Sequence, residues 1–137
     1  MRPIPFNRAA VTGQETAYVS RVIAEGPLHG DGPFTRQCHE WLERLTGAPK
    51  ALLTTSCTHA LEMAGLLLDL REGDEVIVPP FTFVSTVNAI VLRGARPVFV
   101  DCDERYQIDI GRIRSAITSR TRALLPVHWT GAPAHID

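Results

Sequence analysis

Gly73-Asp74-Glu75-Val76-Ile77-Val78-Pro79-Pro80-Phe81-Thr82-Phe83-Val84-Ser85-Thr86 is the stretch that decides the fold. A turn at Arg71–Asp74 leads into four residues of buried-strand character, Glu75–Val78. Pro79-Pro80 ends the strand, because proline has no amide to give to a ladder. A helix then runs from about Val84 to Leu92 and stops at Gly94. Strand, breaker and helix in one short run form the front half of a βαβ unit.

The same alternation continues on both sides. Downstream, Pro97–Val100 reads as a strand and Asp109 as the N-cap of a helix with Ile110, Ile113 and Ile117 inward; Arg122–Val127 is a further strand. Upstream, Ala51-Leu52-Leu53 is a short buried-strand signal and Thr54–Cys57 a polar turn. Residues 58–70 form a helix apolar on most sides, which predicts a mostly buried helix. Residues 50–127 therefore predict β-α-β-α-β-α-β: an α/β fold with a mostly parallel sheet and helices on both faces.

Residues 1–49 form an N-terminal arm and two helices, a preface to the same domain. Thr12-Gly13-Gln14-Glu15 has the spacing of a capping box ahead of a helix from Gln14 to Glu25, which Gly26-Pro27 stops. Phe34, Cys38, Trp41, Leu42 and Leu45 carry a second helix that ends at Gly47. At the other end, His128–Asp137 stand where the next helix of a βα unit would begin.

The chain has 137 residues, 45% of them hydrophobic, and a formal net charge of −1. That is one domain's worth of chain with ordinary core-forming capacity. Fourteen Lys and Arg against fifteen Asp and Glu leave no basic face for nucleic acid, which must be met by neutralising phosphates. No apolar run approaches the roughly 20 residues of a membrane span. The N-terminus lacks the apolar stretch of a secretory signal. Cys38, Cys57 and Cys102 have no metal-ligand spacing and read as reduced thiols, which points to the cytoplasm. Lys50 is the only lysine.

In open α/β sheets, ligands bind beyond the C-terminal ends of the strands, and three loops belong there. Thr54-Thr55-Ser56-Cys57-Thr58-His59 joins a strand to a helix, so free amides and hydroxyls face the crevice. It is a phosphate cradle or a plain N-cap, and it has neither the Walker A nor the GxGxxG pattern. Phe81 and Phe83 straddle a strand end and a helix start, where an aromatic ring stacks on a planar ligand or packs in the core. His128 stands at a strand end, as a general base, an orienting donor or a structural histidine. Cys57 at a helix start has no spaced partner to act with as a nucleophile.

Together these segments resemble the DegT/DnrJ/EryC1/StrS aminotransferases. The likeness rests on Gly30-Asp31-Gly32-Pro33-Phe34-Thr35-Arg36, Leu53–Ala64, Gly73–Thr86, Gly94–Asp101 and Val127-His128-Trp129-Thr130-Gly131, in order and spacing. It is nearest the dTDP-4-amino-4,6-dideoxygalactose transaminase branch. The resemblance implies the aspartate-aminotransferase-like fold of pyridoxal-phosphate enzymes, of which this chain would be the N-terminal portion of the large domain. It implies pyridoxal 5'-phosphate held by Ser56, Cys57 and Thr58, with Phe83 stacked on the pyridine ring. Ser85 and His128 are the candidates for substrate contact. The substrates would be a nucleotide-linked 4-keto-6-deoxy sugar and glutamate, handled by a homodimer.

The resemblance also places the family's catalytic lysine, the acidic partner of the pyridine nitrogen and the C-terminal small domain beyond residue 137. Lys50 is no substitute: it precedes the first expected strand, at the end opposite the phosphate loop, and a four-residue strand spans roughly 13 Å. The 137-residue chain is thus expected to be catalytically silent on its own. A sugar dehydratase, in which histidine replaces the lysine, and a non-catalytic remnant that binds a partner chain or a phosphate ligand are the alternatives.

Overall fold

A computed structural model describes residues 3–26 and 28–135. Pro27, expected to help stop the first helix, and the tail residues 136–137 lie outside them. The chain divides into two compact units, Met1–Leu53 and Thr54–Asp137.

The first unit carries α1 (Glu15–Glu25) and α2 (Pro33–Thr46). Only half of the capping box forms at α1. The Glu15 carboxylate takes the Thr12 amide at 2.6 Å and the Gly13 amide at 2.9 Å. The Thr12 hydroxyl, however, donates to the same carboxylate instead of capping the helix. Chiefly the Thr12 amide holds the Glu15 carboxyl down at about 2. Tyr18 meets Phe34 edge to face at 5.4 Å. Gly47 closes α2 at φ +72, a left-handed turn that favours glycine.

The expected strand at Ala51–Leu53 is not formed. A strand persists only where a neighbour takes its amides. Here the Ala51 amide goes to the Glu43 carboxylate of α2 at 3.2 Å. Lys50 faces the same carboxylate at 3.6 Å. The strand-length argument about Lys50 therefore has no basis in the structure.

The second unit contains α3 (Cys57–Leu67), β1 (Glu75–Val78), α4 (Val84–Val91), β2 (Arg96–Phe99), α5 (Ile110–Ala116) and β3 (Thr121–Leu124). The three strands form a parallel sheet in the order β2-β1-β3. The count of four strands expected from residue 50 onward is thus three. Glu75 pairs with Arg96 and Val78 with Phe99 on one side of β1, and Ile77 with Leu124 on the other.

Every residue of the central strand is buried, and its alternation serves two cores. Val76 and Val78 pack with Leu70, Ile90 and Ala95, backed by Val87 of α4. Ile77 packs on the opposite face with Val100 and Ile108, backed by Ile113 and Ala116 of α5. Helices on both faces are therefore present, and each fully buried aliphatic side chain contributes about 1.5–3 kcal/mol.

α3 departs from expectation. Only Gly65 of its residues is buried, and Leu67 is 81% exposed. Apolar composition predicts burial only where a neighbour supplies the covering surface. α3 packs closely against α4 alone: a Cβ on Gly65 would lie 3.4 Å from the Ala89 carbonyl oxygen. None of the described helices is long and apolar enough to cross a membrane.

Candidate functional site

The contact of Gly65 with Ala89 joins the C-terminal halves of α3 and α4. A short turn leads from α3 into the start of β1, and α4 begins just beyond the end of β1. Both helices therefore run back along the sheet, and both N-termini lie at the C-terminal end of the strands. This brings Ser56–Thr58 and Phe83–Ser85 to one end of one unit. His128 follows β3 at the same end.

Ser56 is the N-cap of α3. Its Oγ accepts the His59 amide at 3.2 Å, and its carbonyl accepts the Ala60 amide at 3.1 Å. The Thr54 hydroxyl bonds the Ser56 carbonyl at 2.9 Å, and Thr55 Oγ1 pairs with His59 Nδ1 at 2.5 Å. These bonds fix the loop and occupy the third and fourth amides of the helix start. The Cys57 and Thr58 amides have no acceptor among the described residues. These two amides stand at the positive end of a helix dipole with the Ser56 and Thr58 side chains beside them, donors of the kind an anion takes. Cys57 is exposed.

Phe83 is the N-cap residue of α4, and its ring is 74% exposed. Among the described residues no core covers this ring. Its carbonyl receives the Thr86 amide at 3.0 Å, and the Thr82 and Thr86 hydroxyls are linked at 2.9 Å. Ser85 is half-buried in the first turn. An exposed aromatic residue and two amides without an acceptor therefore stand at one end of the sheet.

His128 is engaged. Its Nδ1 accepts the Ala134 amide at 3.0 Å, so that nitrogen carries no proton and has no free lone pair for a base. The ring closes the loop from 128 to 134 and leaves Nε2 as a donor.

Three aromatic residues join the loops at this end. Phe81 lies 4.9 Å from the Tyr106 ring and 4.6 Å from the Trp129 ring. Only Phe81 had drawn attention as a stacking residue. Tyr106 carries no sequence signal, because its placement depends on a turn shaped by Asp103. The Asp103 carboxylate accepts the Arg105 amide at 2.8 Å and the Gln107 amide at 3.1 Å. The Gln107 amide is the chief reason its carboxyl is held below the ordinary range.

At the opposite end of the sheet, Glu75 is 1% exposed. It accepts from Arg96 at 2.6 Å, Arg120 at 2.7 Å and the Thr118 hydroxyl at 2.8 Å. With Arg96 first, these three donors lower its carboxyl to about 2. This cluster ties the starts of all three strands and faces away from the crevice. An acidic residue at one strand start with arginines at the neighbouring starts was the signal available in the sequence.

Comparison with known proteins shows the family of the chain. Residues 10–137 match the sequence profile of the DegT/DnrJ/EryC1/StrS aminotransferase family. Spr1654 from Streptococcus pneumoniae, assigned as a sugar aminotransferase and solved in its PMP form, is 32% identical with a TM-score of 0.90, over 96% of this chain and 33% of that one. The aminotransferase from Psychrobacter cryohalolentis is 33% identical with a TM-score of 0.86, over 95% and 34%. S. venezuelae DesV is 36% identical with a TM-score of 0.80, over 88% and 32%. The chain thus spans about a third of the length of these solved chains. Its three-stranded parallel sheet and helices share the α/β fold of those aminotransferases, and with the profile match over residues 10–137 this makes the chain a member of the DegT/DnrJ/EryC1/StrS aminotransferase family.

Proposed function

We propose that this chain supplies the phosphate- and ring-binding portion of a pyridoxal-phosphate aminotransferase. Its acceptor would be a nucleotide-linked 4-keto-6-deoxy sugar and its amino donor glutamate. The observation that carries this reading is the pair of free amides at Cys57 and Thr58, on the same sheet end as the open Phe83 ring.

The Cys57 and Thr58 amides and the Ser56 and Thr58 hydroxyls hold the phosphate dianion. Because the Ser56 lone pair is given to the His59 amide, its hydroxyl proton is directed outward as a donor. Phe83 sets the tilt of the ring and keeps water from one face of it. The bound cofactor supplies electron withdrawal from the carbon next to the transferred nitrogen. Ser85 and the Nε2 donor of His128 are placed to orient substrate oxygens.

The proton-shuttling lysine of the family has no counterpart here. Lys50 is the only lysine in the sequence, and its ammonium faces the Glu43 carboxylate at 3.6 Å. The bare chain is expected to be inactive, and the active form to be a cytoplasmic homodimer.

Titration of the purified chain with pyridoxal phosphate, followed by tryptophan quenching and competed with inorganic phosphate, tests the binding half. Saturable binding that phosphate competes is expected; no binding would overturn it. Turnover of glutamate and a keto-sugar nucleotide by the bare chain would overturn the inactive half. A second reading, a non-catalytic module that pairs with another chain, draws on exposed Leu66 and Leu67 of α3. Loss of self-association or partner capture on Leu67→Glu, with pyridoxal phosphate binding absent from the start, would favour it.

A further inference from the structure

We propose that Tyr106 and Trp129 are positioning residues for the cofactor face: by packing on Phe81 they fix the segment that presents Phe83. The proposal rests on the reading of Phe83 given above.

The backbone shows where conformational strain is concentrated. Among the described residues, four that are not glycine have positive φ: Asp31, Asp69, Tyr106 and Thr130. Aspartate adopts this region readily, but a bulky aromatic or a β-branched residue does so at a cost. Tyr106, at φ +61, belongs to the aromatic cluster, and Thr130, at φ +54, directly follows its third ring, Trp129. Strain of this kind persists only where the surroundings over-determine it, and it gathers at functional sites.

The surroundings here are well determined. The Tyr106 amide bonds the Asp103 carbonyl at 3.0 Å, and Asp103 in turn receives the Gln107 amide. Buried Gln107 donates its Nε2 to the Ala132 carbonyl at 3.2 Å, which ties the Tyr106 turn to the Trp129 turn. Two turns, one after β2 and one after β3, are thus locked to each other and close on a single ring from the loop after β1. That ring, Phe81, is two residues from Phe83. Pro79-Pro80 precedes it and α4 follows it, so the segment has little freedom once Phe81 is held. Tyr106 is 54% exposed and Phe81 42%. Burial of these rings in the core therefore does not explain the strain.

Tyr106→Gly separates this role from plain stability. It removes the ring while placing the residue best suited to left-handed backbone at that position. Tyr106→Phe keeps the ring and removes only the hydroxyl. The readouts are exchange of the Thr86 amide, which bonds the Phe83 carbonyl, and affinities for pyridoxal phosphate and for inorganic phosphate. In Tyr106→Gly we expect roughly tenfold faster Thr86 exchange, roughly tenfold weaker pyridoxal phosphate binding and phosphate affinity within twofold of the parent. Tyr106→Phe should match the parent in all three. Trp129→Leu, which leaves the Tyr106 turn intact, should repeat the Tyr106→Gly result.

Unchanged Thr86 exchange in both Tyr106→Gly and Trp129→Leu, with the fold retained by circular dichroism, would overturn the proposal. Faster exchange with unchanged pyridoxal phosphate affinity would also overturn it as a cofactor device, and would remove Phe83 from the cofactor site. If the parent binds no pyridoxal phosphate, the cofactor reading fails and Thr86 exchange alone decides the grip.

Discussion

Arg96 Nη2 donates to Glu75 Oε1 at 2.6 Å across the start of the sheet, a bond between two residues that are also register partners in β1 and β2. The same oxygen accepts Arg120 Nε at 2.7 Å. One buried carboxylate thus links three strands that are otherwise only four residues long. Its placement away from the crevice gives it a structural role.

Glu75→Ala should lower the thermal midpoint by roughly 5–10 °C, since it removes the buried acceptor that two arginines and a hydroxyl share at the strand starts. Glu75→Gln should fall between, because the amide oxygen still accepts one donor. Thermal unfolding by circular dichroism measures both. A midpoint for Glu75→Ala within a degree of the parent would remove the clamp from the account of stability.

The pH dependence follows from the same group. Its folded pKa, about 2, lies below the ordinary carboxyl value of 4.5. A depressed carboxyl contributes stability that is fully present above its unfolded pKa and lost as pH falls through the folded value. Stability should therefore decline between about pH 4.5 and 2. Glu15 titrates over the same window in the first unit. Midpoints measured across that range should show a flatter slope in Glu75→Gln, and Glu15→Gln and Asp103→Asn should each remove part of what remains.

Ser56 caps α3 through the His59 amide, so two substitutions separate cap from cradle. Ser56→Ala should cost about 1 kcal/mol, and Ser56→Gly only a few tenths. Both lose the outward hydroxyl, so both should weaken pyridoxal phosphate to a similar extent. Urea unfolding and fluorescence titration give the two numbers; equal affinity with the parent would take the Ser56 hydroxyl out of the cradle.

His128 closes its loop through Nδ1. His128→Asn keeps an acceptor for the Ala134 amide and should stay near the parent in stability. His128→Ala should cost about 1 kcal/mol. Indistinguishable unfolding midpoints for the two variants would argue against the closing role.

Gly65 is set by helix contact. Its Cβ position lies 3.3 Å from Arg93 Cγ and 3.4 Å from the Ala89 carbonyl oxygen. Gly65→Val should destabilise by about 1–3 kcal/mol through overpacking. In Gly65→Ala the gain in helix propensity of about 1 kcal/mol offsets most of the contact, so its denaturation midpoint should stay close to the parent.

The sequence by itself determined the features that neighbours within a few residues fix. β1 was legible because an apolar run ends at Pro79-Pro80. The ends of α2, α3 and α5 were legible from Gly47, Ser56 and Asp109, whose backbone turn or side-chain bonds act locally. The cradle and Phe83 were legible as types for the same reason, and their ordered motifs carried the family.

Tertiary structure decided whatever depends on a distant partner. Ala51–Leu53 has strand composition, yet its first amide goes to Glu43. α3 has a buried helix's composition, yet most of its leucines face outward. Tyr106, Trp129 and Phe81 come from three separate loops and meet only because three parallel strands end side by side. Glu75 finds both arginines because strand register places their starts together. Hydropathy and spacing report what a residue can bury or bond; which surface arrives to meet it is set by the chain's path in space.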